Sequence, residues 1–307
     1  MKAIIICGPT GSGKSAVAMT IAGRYNGAIV SADSRQIYRR LDIGTAKPSL
    51  EDRRKIPHYL IDIVDISEDY TATRYATDAK SSIELIVRNG HIPLIVGGTG
   101  LYIESLTQGI FKGAGKDEII RAELMEKAGR DGLIALYNQL KEIDPKGASS
   151  ISPNDEVRII RSLEIYRQTG LPPSVVKESS EYSSLEGDFL RIGLDIPREI
   201  LYEKINNRVD DMIDQGLVGE IEELLADDLG KHIRKKKIVG YAEIIDSIEN
   251  RTDMEEGIDL VKQHTRNYAK RQMTWFRNRT ESTWLNPSDS GFERKVFTLL
   301  DEHLKRT

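Results

Sequence analysis

The sequence predicts an α/β protein in which a mostly parallel sheet is flanked by helices and carries an inserted helical domain. Three observations lead there. Short, nearly continuous apolar runs alternate with amphipathic stretches over the first hundred or so residues, the pattern of strands covered on both faces. A glycine-rich loop joins the first of these runs to a helical segment. Between Gly113 and about Leu185 the strand signal disappears and helical periodicity replaces it.

The elements follow in order. AIIIC at 3–7 reads as a strand and AVAMTIAGRY after Ser15 as a helix. GAIVSAD at 27–33, IPHYLIDIVDI at 56–66 and IPLIVGG at 92–98 read as further strands, with a helix from Thr73 to Val87. EIIRAELMEKAGRDGLIALYNQLKEID and NDEVRIIRSLEIYRQTG have helical spacing, and TGLPPSVVKESSEYSSLEG reads as a loop rich in serine and proline. DFLRIGLDI at 188–196 returns to strand. Helices then run through EILYEKINNRVDDMIDQGLVGEIEELLAD, VGYAEIIDSI and Met254 to about Phe276, with a basic linker before VGYAE. A short strand at Thr283–Leu285 and an amphipathic terminal helix close the chain. Residues 1–112 and 186–307 are therefore expected to form one domain and 113–185 an insertion.

Composition narrows the class. A chain of 307 residues can bury a sizeable core unaided by disulfides. Its single cysteine, Cys7, excludes an intrachain disulfide framework and a multi-cysteine zinc site, and its apolar setting predicts a buried thiol in a reducing compartment. The amino terminus passes directly from a short apolar run into a glycine loop, and no later run reaches the length of a membrane span, so a cytoplasmic protein without a membrane partner is expected. No coiled coil or repeated interface stripe is evident, which predicts a monomer with no obligate protein partner. Net charge is -4, yet Lys262, Arg266, Lys270, Arg271, Arg277 and Arg279 occur with no intervening acid, and KHIRKKK lies at 231–237. Such local fields attract a polyanion even on an acidic protein, although solvated helix faces have the same composition.

GPTGSGKS at 8–15 satisfies G-x-x-x-x-G-K-[ST] between a strand and a helix, the context its mechanism needs, and makes the core P-loop NTPase-like. Backbone N–H groups of Gly8, Pro9's successor Thr10, Gly11, Ser12 and Gly13 can surround an anionic oxygen cluster. Lys14 supplies positive charge, and the Ser15 hydroxyl can ligate Mg2+ held against the phosphates. The loop alone would suit ATP and a small-molecule kinase, but strand 92–96 ends in glycines rather than a Walker-type aspartate, leaving Asp33, Asp62 and Asp65 as candidates. Asp33 ends a strand at the edge where doubly wound sheets bind ligands. It suits a proton acceptor, a contact to metal-bound water, or a cap for the next turn. Thr99 in GGTG offers a hydroxyl near the same edge, or marks only a tight turn.

Together, GPTGSGKS, DSRQIY (33–38), DIGTAKP (42–48), IPHYLID (56–62), GGTGLY (97–102), SPNDEVRIIRSLEI (152–165), KINNRVDDMIDQGLVGE (204–220), VGYAE (239–243) and TRNYAKRQMTWFR (265–277) resemble the bacterial tRNA dimethylallyltransferases. The pieces span most of the chain, in family order. The resemblance implies transfer of a dimethylallyl group from dimethylallyl diphosphate to N6 of the adenine 3′ of the anticodon in tRNA, with Mg2+ as cofactor and pyrophosphate released. It assigns the diphosphate to Gly8–Ser15, charge stabilisation to Arg208, proton removal to Asp33 and orientation to Thr99. Prenyl transfer to a free adenine nucleotide remains the alternative, since adenylate prenyltransferases share the core.

The same resemblance places Asp33, Ser34, Arg35 and Gln36 around the flipped adenine, with Gln36 as a hydrogen-bonding reader, and sets the insertion toward the anticodon stem-loop. Arg158 and Arg161 share a helix face suited to phosphates or to in-helix salt bridges with Asp155 and Glu164. Arg266 and Lys270, four residues apart, with Arg277 and Lys237, complete the expected RNA contacts. Trp275 and Phe276 read as docking residues of the helix rather than base-stacking platforms.

Overall fold

The computed structural model describes residues 1–109, 115–179 and 184–305. Its sheet has six strands: β1 (Lys2–Cys7), β2 (Gly27–Ser31), β3 (His58–Tyr59), β4 (Ile92–Gly97), β5 (Asp188–Leu194) and β6 (Thr283–Leu285). They lie in the order β3-β2-β4-β1-β5-β6, and every pairing is parallel. Parallel neighbours need crossovers, which here are helices such as Lys14–Arg24 and Ala72–Arg88. The strands' continuous apolar character follows, since Ile4, Ile5, Ile6, Leu94 and Ile95 have no exposed surface.

Because all strands run the same way, the loops after β1, β2 and β4 leave from one edge of the sheet, and the three strands are neighbours. That edge collects residues 8–13, 32–36 and 97–99. One apolar cluster fills a face of the sheet around Ile6, Ile21, Leu94, Leu194 and Leu300. A second surrounds Ile37, Leu41, Leu217, Tyr241 and Ile244, and supports the chain from Tyr38 onward.

Contacts divide the chain into a unit of Met1–Thr107 with Leu185–Thr307 and a unit of Gln108–Ser184. The expected boundary between 112 and 113 lies outside the described residues. The second unit is helical: Glu118–Asp131, Leu133–Ile143, Pro145–Ala148, Glu156–Thr169 and Pro173–Glu178. Gly132 (φ 84°) breaks the first long helical stretch in two. Leu124, Leu136, Leu140, Ile159 and Leu163 form its core.

Three expectations need correction. IPHYLIDIVDI is not one strand: only His58 and Tyr59 pair with β2 before Leu60 and Asp62 adopt left-handed φ of 62° and 57°, after which Val64 makes a lone bridge to Tyr38. The basic stretch before VGYAE is a helix, Gly230–Lys236, because Arg234 pairs with Asp246 and Glu249 and Lys236 with Asp69. The serine- and proline-rich stretch contains the short helix Pro173–Glu178, with Pro173 at its first position, where a missing N–H costs nothing; residues 180–183 of that stretch lie outside the described residues.

In the helical unit Arg158 pairs with Asp155 at 3.1 Å and Arg161 with Glu164 at 2.9 Å. Glu164 has no exposed side chain, and it also accepts from Arg121 at 2.8 Å and from the Asp117 N–H at 2.7 Å. Burial opposes its ionisation, but the Asp117 N–H and the two guanidinium groups outweigh that and hold the carboxyl below the usual range. Removing the carboxylate would strand two partly buried cations. Glu164→Ala is expected to destabilise the protein by about 3 kcal/mol in a urea titration, and Arg161→Ala by less, because Arg121 still pairs with the acid.

Candidate active site

β1 delivers the chain into the glycine loop, and Gly13, left-handed at φ 85° and ψ 14°, turns it into the helix Lys14–Arg24. No side chain caps that helix, so its first N–H groups point out of the sheet edge without intrahelical acceptors. The Ser12 hydroxyl is buried and has no hydrogen-bond partner among the described residues. Lys14 folds back to donate to the Pro9 carbonyl at 2.6 Å. A buried orphan hydroxyl, a helix N-terminus and an ammonium group confined to its own loop together fit an anion. Ser15 is exposed at the head of the same helix.

After β2, Asp33 Oδ1 accepts from the Arg35 N–H at 2.8 Å and the Gln36 N–H at 3.4 Å. The turn-capping role thus falls to one oxygen. After β4, the Thr99 N–H donates to Ala32 O at 3.1 Å and its Oγ1 accepts from the Ser34 N–H at 3.0 Å, which stitches this loop to the Asp33 loop. Thr99 is thus both a turn residue and a neighbour of the aspartate.

Arg208, on the helix Arg198–Asp214, faces the same place. A cavity of about 180 Å3 is bordered by Thr10, Asp33, Arg35, Arg208, Lys237 and Arg271 on its polar side. Ile205, Val209, Met212, Val239 and Val261 are among its apolar lining. Lys237 reaches it as the left-handed residue (φ 47°) that ends the helix Gly230–Lys236. Burial, with repulsion from Arg208 and against attraction from Asp33, lowers the Lys14 pKa to about 8. Burial likewise lowers that of Arg208, against the pull of Asp33.

Gln36 is placed differently from the expected base reader. Its Oε1 accepts from Ser31 Oγ, and its Nε2 donates to Thr45 O and Ala46 O, all at 3.2 Å. The side chain ties DSRQIY to DIGTAKP and leaves no amide hydrogen over. The far side of DIGTAKP is held by Glu220, which accepts from the Asp42 and Ile43 N–H groups at 3.1 and 2.8 Å and from the Tyr241 hydroxyl at 2.5 Å. Lys47, with 2% of its side chain exposed, pairs with Asp42 and Asp62.

The basic helix Met254–Arg279 lines two cavities with different faces. Val261, Thr265 and Tyr268 face the cavity, with Arg271 at its margin. Lys270 and Arg277 border a separate cavity of about 660 Å3 with Arg198, Tyr202 and Trp284. Arg266 is held by Asn206 at 2.6 Å and lies over the Tyr202 ring, and Arg277 pairs with Asp195 at 2.8 Å. Trp275 packs on Gly100, where an added Cβ would meet the indole at 2.1 Å, and Phe276 has no exposed surface, so both dock the helix. Tyr268 and Gln272 are not among the residues expected from the sequence, and Arg271 is expected only as part of the basic run. The available signal was the i, i+4, i+7, i+11 stripe of Val261, Thr265, Tyr268 and Gln272, neither uniformly apolar nor charged.

Comparison with known proteins agrees with this geometry. A profile described as IPP transferase matches residues 36–279. A tRNA dimethylallyltransferase of Geobacter metallireducens is 44% identical over 282 residues, covering 92% of this chain and 91% of that protein. One from Thermosipho africanus is 44% identical over 296 residues, covering 96% and 97%. The crystal structure of a full-length tRNA isopentenylpyrophosphate transferase from Bacillus halodurans superposes with a TM-score of 0.70 at 37% identity, covering 99% of this chain and 98% of that one. A eukaryotic dimethylallyltransferase acting on tRNA superposes with a TM-score of 0.82 at 29% identity over 99% of this chain and 79% of its own. The glycine loop, Asp33, Thr99 and Arg208 thus sit in a chain that belongs to the IPP transferase family.

Proposed function

We propose that this chain transfers the dimethylallyl group of dimethylallyl diphosphate to N6 of an adenine in tRNA, at the position 3′ of the anticodon, and releases pyrophosphate. The observation that carries the reading is the cavity itself, where Thr10 of the anion cradle and the cations Arg35, Arg208, Lys237 and Arg271 meet one carboxylate and an apolar wall. A phosphoryl donor alone would not need the wall of Ile205, Val209, Met212 and Val261, which suits a five-carbon prenyl chain.

In this account the bond between the allylic carbon and the bridging oxygen breaks, and the carbon bonds to N6. The departing pyrophosphate keeps the electron pair of the broken bond, stabilised by Lys14, Arg208 and the N–H groups of Gly11, Gly13, Lys14 and Ser15, the Thr10 and Ser12 N–H groups being taken within the protein. Asp33 takes the N6 proton on Oδ2, since Oδ1 already holds the Arg35 and Gln36 N–H groups. Thr99 keeps the Asp33 loop at its distance from the cradle. Among the described residues no cluster of three or more His, Cys, Asp or Glu forms a metal cage, and the Ser15 hydroxyl suits Mg2+ shared with substrate phosphates and water. Mg2+ bound there would neutralise charge on the leaving pyrophosphate.

On the RNA side, Arg35, Lys237 and Arg271 stand at the cavity and are assigned to nucleotides flanking the adenine. Arg266, Lys270 and Arg277 are assigned to backbone phosphates, and the helical unit to the anticodon stem-loop, with Arg158 and Arg161 contacting RNA only by exchanging their carboxylate partners. No described helix is long and apolar enough to cross a membrane.

Incubation with Mg2+, labelled donor and either unmodified tRNA or AMP, ADP and ATP is expected to yield prenylated adenine in tRNA only. Product on nucleotides alone would move the acceptor, and product on neither would end the transferase reading. Asp33→Ala is expected to lower single-turnover transfer about 100-fold or more while leaving pyrophosphate binding within a few-fold.

The lowered Lys14 pKa sets the sign of a pH effect. The free enzyme loses the ammonium proton through about pH 8 rather than near 10.5, whereas bound diphosphate favours the charged form. Affinity for a diphosphate analogue, taken relative to Lys14→Arg at each pH, should be constant below pH 8 and weaken toward about tenfold per unit above it. Parallel curves for the two proteins would contradict this.

A further inference from the structure

Gln272 sits on the long helix Met254–Arg279, outside the sheet, with only 6% of its surface exposed. Its Oε1 accepts from the Thr10 N–H at 2.8 Å, and its Nε2 donates to Gly98 O at 3.0 Å. The partners dictate the orientation of the amide, because a main-chain N–H can only donate and a carbonyl can only accept. Thr10 belongs to the anion cradle, and Gly98 precedes Thr99. A single side chain therefore spans the two loops that follow the neighbouring strands β1 and β4. The fit is close: a Cβ on Gly98 would lie 2.2 Å from the Gln272 Nε2.

One turn earlier on the helix, Tyr268 lines the cavity, and Thr99 and Gln272 are near enough to its phenol to oppose the rise in its pKa that burial causes. The same stripe thus touches the cradle, Gly98 and Thr99. In taking the Thr10 N–H, Gln272 also removes one donor from those that could hold the diphosphate, so the loop is braced from behind at that point.

We propose that Gln272 is a positioning residue for prenyl transfer: its amide fixes the distance between the loop that grips the leaving group and the loop that orients the acceptor side. This rests on the transferase reading above. Only a primary amide satisfies both loops. Gln272→Met leaves the Thr10 N–H and the Gly98 carbonyl unpaired. Gln272→Glu keeps the shape and the acceptor for Thr10, but opposes an oxygen to Gly98 O and adds negative charge beside the cradle.

The test uses the full-length protein with Mg2+ and two readouts, pyrophosphate affinity by calorimetry and single-turnover transfer to tRNA with both substrates saturating. Gln272→Met is expected to bind pyrophosphate within about fivefold of wild type and to transfer about 10- to 100-fold more slowly. Gln272→Glu is expected to bind pyrophosphate at least tenfold more weakly and to recover none of the transfer rate. Normal transfer by the folded fraction of Gln272→Met, whatever its melting temperature, would reduce the residue to packing and overturn the proposal. Wild-type transfer by Gln272→Glu would overturn the bridge, as would wild-type pyrophosphate affinity. A wild-type protein that binds pyrophosphate but transfers nothing would instead sink the transferase reading, while the Gln272→Glu affinity would still decide whether this side chain abuts the cradle.

Discussion

Lys14 and Arg208 are held close to one carboxylate, that of Asp33, in a place where burial lowers the pKa of both cations. With Arg35, Lys237 and Arg271 also at the cavity and Asp33 the one acid among its lining residues, positive charge gathers there in excess. Placing it there costs stability, and an incoming anion offsets that cost. The rest of the site can be understood as serving this imbalance. The helix N-terminus adds positive potential, the buried Ser12 hydroxyl waits for an acceptor, and Lys14 meanwhile leans on the Pro9 carbonyl. A leaving pyrophosphate gains charge as its bond to carbon breaks, so a site of this kind favours the transition state over the bound donor.

An excess of charge is useful only if the reacting groups keep their distances, and the loops that carry them are tied crosswise. Thr99 stitches the β4 loop to the β2 loop, and Gln36 ties the β2 loop to residues 45 and 46. Glu220 anchors Asp42 and Ile43 from the helix Leu217–Ala226, and Gln272 links the glycine loop to Gly98. Most of these ties run from a side-chain amide or carboxylate to main-chain groups. Such bonds fix loops in place without using the side chains that do chemistry. Asp33 gives one oxygen to its own turn, which leaves the other for the proton transfer proposed above.

Local patterns made much of this legible. The apolar runs of β1, β2 and β4 are buried on both faces, so they announce themselves, and the glycine loop falls where a strand meets a helix. Even the three-residue β6 follows from its apolar and aromatic residues. The segment 56–66 misled because its apolar content is real but serves two different neighbours, with left-handed Leu60 and Asp62 between them. KHIRKKK looked like a solvated linker because the acids that neutralise Arg234 and Lys236 lie elsewhere in the chain, at 246, 249 and 69. Gln36 and Gln272 show the same limit more sharply. An amide side chain suits base reading or loop bracing equally well, and only the positions of distant carbonyl and N–H groups decide between them. Which residues of the long helix reach the cavity depended likewise on helix phase, which put Tyr268 and Arg271 there and Lys270 at a separate cavity.

The central claim is that the glycine loop grips a group that leaves from carbon, and that phosphorus is never attacked. Donor labelled with 18O only at the oxygen bridging C1 and phosphorus tests this most directly. Mass spectrometry of the products after transfer to tRNA should find all of the label in released pyrophosphate and none in the modified adenine or in any prenyl alcohol. Label retained on the prenyl carbon would mean that the phosphorus–oxygen bond had broken, and would contradict the account.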